Sequence, residues 1–145
     1  MSLKLITFIQ IMDRRAKEAI EYYQEALNAK IIFMQTLGEG PKDEVSKLKK
    51  NQLGLIAHSI LKIGETKIMI SDTIPSVPFQ KGNQVSICIT SNDISITKQF
   101  YEKLKEDGKV NIELNESHFS PAYGMVTDKF GVTFQIFTTR KQIKL

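Results

Sequence analysis

Two histidines, His58 and His118, and a single cysteine, Cys88, carry the side chains best suited to proton or nucleophilic chemistry at neutral pH. His58 lies inside Ile56-Ala57-His58-Ser59-Ile60, a strand-like run. Facing a cavity, its imidazole can act as a general base or donate a hydrogen bond to a ligand; turned inward, it is a structural residue. His118 lies in Glu116-Ser117-His118-Phe119-Ser120-Pro121, which reads as a loop before a strand, placed to cover a site as a lid. Glu116 and His118 form a candidate acid–base pair, but two residues apart they share a side only if the chain there is a regular strand. Cys88 is a nucleophile only with a depressed pKa, and no activating partner is evident, so an inert buried thiol is the simpler reading. One cysteine forms no internal disulfide and no cysteine-based zinc site, and two histidines do not make a histidine-rich metal site.

These side chains must be positioned by a chain of 145 residues, 41% apolar and 25% charged, an ordinary globular balance that fits one domain, residues 1–145. Net charge is +4, with lysines gathered at Lys42 to Lys50 and in the tail from Arg140 to Lys144. No basic patch interleaves with aromatics and no helix-turn-helix pattern is present, so a nucleic-acid partner is not expected. No apolar run approaches the ~20 residues of a membrane span. The opening MSLKLITFIQ has no long apolar core or small-residue cleavage site. A cytoplasmic location away from membranes is the expectation.

Leu5 to Met12 reads as a strand, followed by Asp13 as a helix cap and an amphipathic helix with Ala16, Ala19, Ile20, Tyr23 and Leu27 on one face. Asn28 suits a left-handed C-cap. Lys30 to Leu37 is a second strand. Gly38 to Gln52 reads as a mobile polar loop with a helical turn around Glu44 to Lys50. Leu55 to Ile63 and Thr66 to Ser71 are two strands joined by a tight Gly64-Glu65 turn. A connector containing Pro75, Pro78 and Gly82 follows.

The pattern then recurs. Val85 to Thr90 is a strand, Asn92 or Asp93 a cap, and Ile94 to Asp107 a helix closed by Gly108. Lys109 to Leu114 is a strand, and Tyr123 to Thr127 with Val132 to Thr138 forms a hairpin around Asp128-Lys129-Phe130-Gly131, where the glycine supplies a positive φ. The mid-helix tyrosines Tyr23 and Tyr101 are 78 apart (101 − 23), and at that offset Phe8-Ile9-Gln10-Ile11 falls on Ser86-Ile87-Cys88-Ile89. Strand, helix and aromatic pair all repeat, as in a duplicated unit.

Three stretches carry a resemblance. They are Ala16-Lys17-Glu18-Ala19-Ile20-Glu21-Tyr22-Tyr23; the run from His58 through Ile63-Gly64 and Ile70-Ser71-Asp72 to Pro78-Phe79 and Gly82-Asn83; and Tyr123-Gly124-Met125-Val126-Thr127-Asp128-Lys129-Phe130-Gly131-Val132. Together they resemble the vicinal oxygen chelate superfamily of glyoxalases, bleomycin-resistance proteins and extradiol dioxygenases. Within it they are similar to the PhnB-like branch, often labelled 3-demethylubiquinone 3-methyltransferase-like. The resemblance implies an α+β fold of tandem βαβββ modules, about residues 4–72 and 84–139, forming a curled mixed sheet around a cavity.

Metallated relatives hold a divalent ion with four ligands, one on the first and one on the last strand of each module. Counted from the helix tyrosines, the first-strand positions fall on Phe8 and Ser86; counted from Gly131, a last-strand position falls on Gln135, with its counterpart near Ile68 to Ile70. Phenylalanine and isoleucine offer no lone pair, and serine and glutamine are weak neutral donors, so neither metal nor other cofactor is expected. No strand leads into a Gly-rich turn of the dinucleotide type, and the chain is short for a doubly wound AdoMet-binding sheet. Phe8, Gln10, His58, Ser86, Cys88, His118, Tyr123 and Gln135 are the candidate ligand-binding residues. The expected function is metal-independent binding of a small molecule. The alternative is an enzyme using His58, with His118, for isomerisation or lyase chemistry; a protein-interaction module is a third reading. The superfamily's habit of pairing implies a homodimer.

Overall fold

The computed structural model describes residues 2–73 and 78–140. Pro75 of the connector and the tail lysines Lys141 and Lys144 lie outside the described residues. The chain divides into two compact units, Met1–Phe79 and Gln80–Leu145.

In the first unit the order is β1 (Thr7–Ile11), α1 (Ala16–Leu27), β2 (Lys30–Thr36), the short α2 (Lys42–Val45), β3 (Ile56–Ile63) and β4 (Thr66–Asp72). These strands make one sheet in the order β1-β4-β3-β2, with β1 parallel to β4 and the other neighbours antiparallel. The second unit has β5 (Ile87–Ser91), α3 (Ile94–Lys105), β6 (Lys109–Ser117), β7 (Ser120–Thr127) and β8 (Thr133–Thr138). Its sheet repeats the same order, β5-β8-β7-β6, with β5 parallel to β8. The fold is α+β, with tandem βαβββ modules. No described helix is long and apolar enough to cross a membrane.

Each helix fills one sheet face because its apolar residues recur every third or fourth position. Along α1 the buried set is Ala16, Ala19, Ile20, Tyr23, Ala26 and Leu27, against Ile9, Ile11, Leu61, Ile68 and Ile70 of the strands. Along α3 it is Thr97, Tyr101 and Leu104, against Val126, Phe134 and Ile136. Burying each large apolar side chain contributes about 1.5–3 kcal/mol, which fixes the strand phase.

Local signals hold at several ends. Asn28 takes the left-handed C-cap with φ 55°, and Gly64 sits in the two-residue β3–β4 turn with φ 57°. Asp93 caps α3, its Oδ1 accepting from the Ser95 backbone N–H at 2.8 Å and the Ser95 hydroxyl at 2.7 Å. Those Ser95 bonds hold the Asp93 carboxyl below its ordinary pKa.

Four readings need correction. Asp13 does not cap α1: it has φ 62°, Arg15 occupies the cap without a side-chain bond, and the Ala16 N–H donates instead to Oδ1 of Asp72 at 2.9 Å. The helical turn expected around Glu44 to Lys50 within residues 38–52 lies earlier, as α2 at Lys42–Val45. Two 3-10 turns, Leu37–Glu39 and Lys50–Gln52, flank α2, and the Glu39 carboxylate accepts from the Thr36 N–H at 3.1 Å and its hydroxyl at 3.0 Å. Gly108 does not end α3 by left-handed geometry, since Asp107 takes that conformation (φ 57°); glycine is needed there because a Cβ would stand 2.4 Å from the Thr127 carbonyl oxygen. Finally, β6 continues to Ser117 and β7 begins at Ser120, so His118 and Phe119 form a tight hairpin turn rather than a lid loop. Arg140 fastens that turn, donating to the His118 carbonyl at 2.9 Å and the Ser117 carbonyl at 3.3 Å.

Candidate functional site

On each sheet, side chains alternate between the helix-covered face and the opposite one. The strand registers arrange the opposite face of the first sheet in two rows. Phe8 pairs with Met69, Met69 with Ile60 and Ile60 with Phe33, an apolar row across all four strands. Beside it runs a polar row. Gln10 pairs with Ser71 and His58 with Gln35, and the Ser59 hydroxyl bond to the Ile70 carbonyl at 2.6 Å keeps β3 and β4 in step between them. The first unit therefore brings Phe8, Gln10 and His58 onto one face. The His58 ring lies 5.6 Å from the Phe33 ring centroid, and no ion pair reaches it among the described residues.

The second sheet gives the equivalent rows different chemistry. Cys88 pairs with Gln135, and Gln135 with Met125; Thr90 pairs with Phe137, and Phe137 with Tyr123. The Tyr123 hydroxyl donates to Gln135 Oε1 at 2.7 Å, and Gln135 Nε2 donates to the Ser86 hydroxyl oxygen at 2.9 Å. An aromatic group adjoins this chain. Phe119 lies 4.9 Å from Tyr123 edge-on and 5.8 Å from Phe137 with the planes 7° apart, and His118 meets Phe119 edge-on at 5.0 Å. So Ser86, Cys88, Tyr123 and Gln135 come together on one face, with His118 at the turn beside it. His118 itself is exposed, and no ion pair joins it to Glu116 among the described residues.

The registers also revise the position count. Phe8 faces Met69 exactly where, in the second sheet, Cys88 faces Gln135, so the counterpart of Phe8 is Cys88 rather than Ser86. Four residues (12–15) separate β1 from α1, but two (92–93) separate β5 from α3, so counting back from the tyrosines slips by two. An even slip preserves the facing, which is why Ser86 still lies on the right side of the sheet.

A divalent ion does not fit these positions. Phe8 has no donor atom and Met69 offers only a thioether. The Gln135 amide is bonded to Tyr123 and Ser86, and Cys88 is a thiol whose pKa is raised by partial burial against the sheet. Among the described residues no group of three or more His, Cys, Asp or Glu is placed to hold an ion.

The raised Cys88 pKa has a measurable consequence. The residue is exposed, yet its thiolate is disfavoured, so iodoacetamide at pH 7.5 is expected to alkylate it more slowly than free cysteine, with the rate still rising above pH 9. A pH–rate profile with a midpoint below that of free cysteine contradicts this. Cys88 is therefore exposed rather than the buried thiol expected from sequence, and its raised pKa leaves it without activation.

Phe33 and Phe137 were not among the residues expected on these faces, Met69 falls within the span Ile68 to Ile70 expected there, and Phe119 belongs to the segment expected as a lid. Phe137 shares strand phase with Gln135, a signal that was available. Phe119 was not accessible that way, because its placement depends on the hairpin turn.

Two modules of identical strand order, each with a helix on one face and a mixed polar and aromatic surface on the other, define the glyoxalase/bleomycin-resistance fold. The sequence profile of the family described as 3-demethylubiquinone-9 3-methyltransferase matches residues 4–137, and the chain belongs to that family. Protein YjdN of Escherichia coli strain K12 is 29% identical over 131 residues, covering 86% of this chain and 88% of YjdN. Among solved structures, protein PA1353 from Pseudomonas aeruginosa superposes with a TM-score of 0.84 at 23% identity, covering 97% of this chain and 100% of that one. The fosfomycin resistance protein FosX from Listeria monocytogenes gives 0.66 at 12% identity, covering 98% and 97%. These structural likenesses establish the fold.

Proposed function

We propose that this chain is a metal-independent small-molecule-binding protein of the PhnB-like group, with its ligand on the second-sheet face formed by Ser86, Cys88, Tyr123, Gln135 and Phe137. The observation that carries the proposal is the Tyr123–Gln135–Ser86 hydrogen-bond chain set beside three aromatic rings. An apolar surface with a few oriented polar groups is the usual character of a small-ligand site. Methyl transfer from AdoMet finds no support in either sheet, since both are mixed four-stranded sheets rather than a doubly wound parallel one.

A thermal-shift screen of a chemically diverse library tests the proposal. A true ligand at a hundred times its Kd is expected to raise Tm by about 5–10 °C. The rise should persist in EDTA and shrink by more than half in Gln135→Leu. No stabilising compound, or full stabilisation of Gln135→Leu, rules the proposal out.

A further inference from the structure

We infer that the second-sheet face takes a planar aromatic compound bearing an uncharged carbonyl, an inference that rests on the binding reading above. It follows from counting protons along the chain Tyr123–Gln135–Ser86. A hydroxyl has one proton to donate and a primary amide has two. Tyr123 gives its proton to Gln135 Oε1, and Gln135 gives one of its two to Ser86. The Ser86 hydroxyl proton is left over, as is the second amide N–H, and no acceptor for either is found among the described residues. Turning the amide over exchanges the ends without changing the count: Ser86 then donates to the amide oxygen, and the Tyr123 proton is left over. A hydroxyl–amide–hydroxyl chain in either sense keeps one O–H and one N–H for a ligand. On the open face water accepts from both donors; a ligand that covers them displaces that water, and because a covered donor without a partner costs more than a spare oxygen lone pair, a fitting ligand brings acceptors.

The surroundings narrow the class. Phe119 is 38% exposed and lies parallel to Phe137, leaving an aromatic surface on which a flat ring can stack. Ser86, Cys88, Phe119, Tyr123, Gln135 and Phe137 carry no formal charge at neutral pH, and the thiol of Cys88 is held protonated. The guanidinium of Arg140 turns two of its five N–H donors to the Ser117 and His118 carbonyls, and among the described residues no hydrogen bond joins it to any of these six side chains. A carboxylate here loses hydration without gaining a cation, whereas a ketone or aldehyde oxygen loses little and accepts both donors.

Titration of the full chain with three naphthalenes, followed by amide NMR shifts, separates the possibilities. 2-Acetylnaphthalene carries the carbonyl, 2-ethylnaphthalene has its shape without the acceptor, and 2-naphthoate adds a charge. The acetyl compound is expected to bind at least tenfold more tightly than the ethyl compound, with shifts at Ser86, Tyr123 and Gln135. Of Ser86→Ala and Tyr123→Phe, whichever removes the spare O–H is expected to reduce that ratio below threefold with the amide spectrum of the fold retained, and an undiminished ratio in both overturns the donor count. Equal binding of the acetyl and ethyl compounds overturns the carbonyl inference while leaving the binding reading intact. Tighter binding of 2-naphthoate overturns the uncharged class. Absence of shifts with all three compounds also overturns the inference, and the library screen then judges the binding reading separately.

Discussion

Replacing Asp72 with alanine is expected to lower stability by about 3–5 kcal/mol. Asp72 is 3% exposed, and its two carboxylate oxygens serve two separate segments. Oδ1 accepts from the Ala16 N–H at 2.9 Å, the start of α1, and Oδ2 accepts from the Ile56 N–H at 2.7 Å, the start of β3. Both donors are buried, and alanine leaves both without a partner. Each stranded donor costs about 1–3 kcal/mol, and bonds to an ionised acceptor lie at the upper end. Asparagine restores one oxygen but sets an N–H₂ group against the other donor, so Asp72→Asn is expected to recover less than half the loss. Urea denaturation reads the effect as a lower midpoint at unchanged slope. Amide exchange should accelerate first at Ala16 and Ile56, where the bonds are lost. A midpoint within 0.2 M of the wild type, by a slope of about 1–3 kcal/mol/M, removes Asp72 as the tie between these segments.

The same carboxylate shows what was legible in the sequence. Asp72 belongs to the Ile70-Ser71-Asp72 stretch that carries the family resemblance, yet the local capping rule pointed to Asp13, three residues ahead of α1. Capping rules see neighbours along the chain, whereas the actual acceptor lies 56 residues away and arrives through the β1–β4 pairing. Features set by local periodicity were readable. They include the helix over Ala16–Leu27, the β3–β4 turn at Gly64 and the repeated order that becomes two sheets of the same topology. Register was only half readable. The facing of Phe8, Gln10, Ser86 and Gln135 follows from a period of two, but the pairing of Cys88 rather than Ser86 with Gln135 depends on the shorter β5–α3 connection. The hydrogen bonds that give the second face its character depend on β5, β7 and β8 meeting, which no spacing within one strand reveals. The same limit applied to residues 116–121. They read as a loop before a strand, but pairing of Ser117 with Ser120 closes them into a hairpin that brings Phe119 to Tyr123 and Phe137.

The two tyrosines that reveal the repeat are expected to differ when removed. Tyr23 is fully buried at 0% exposure, the largest of the fully buried side chains, and it stands between α1 and its sheet. Truncation to alanine loses the burial of a whole ring and leaves a cavity that rigid strands close only in part, for a cost of about 4–5 kcal/mol. Tyr101 occupies the matching place on α3 but retains 7% exposure, and the Lys105 ammonium lies 5.1 Å from its ring centroid. Solvent and the flexible lysine stem can fill part of the space vacated there, so Tyr101→Ala is expected to cost about 2–3 kcal/mol. Urea midpoints of the two variants, with helix-specific amide exchange assigning each loss to α1 or α3, measure the difference. A duplicated unit keeps the ring in both copies because each sheet needs one large knob beneath its helix, and the copy with the tighter seat should depend on it more. Equal costs, or a larger cost at Tyr101, show instead that exposure at the ring edge does not control how well the cavity closes.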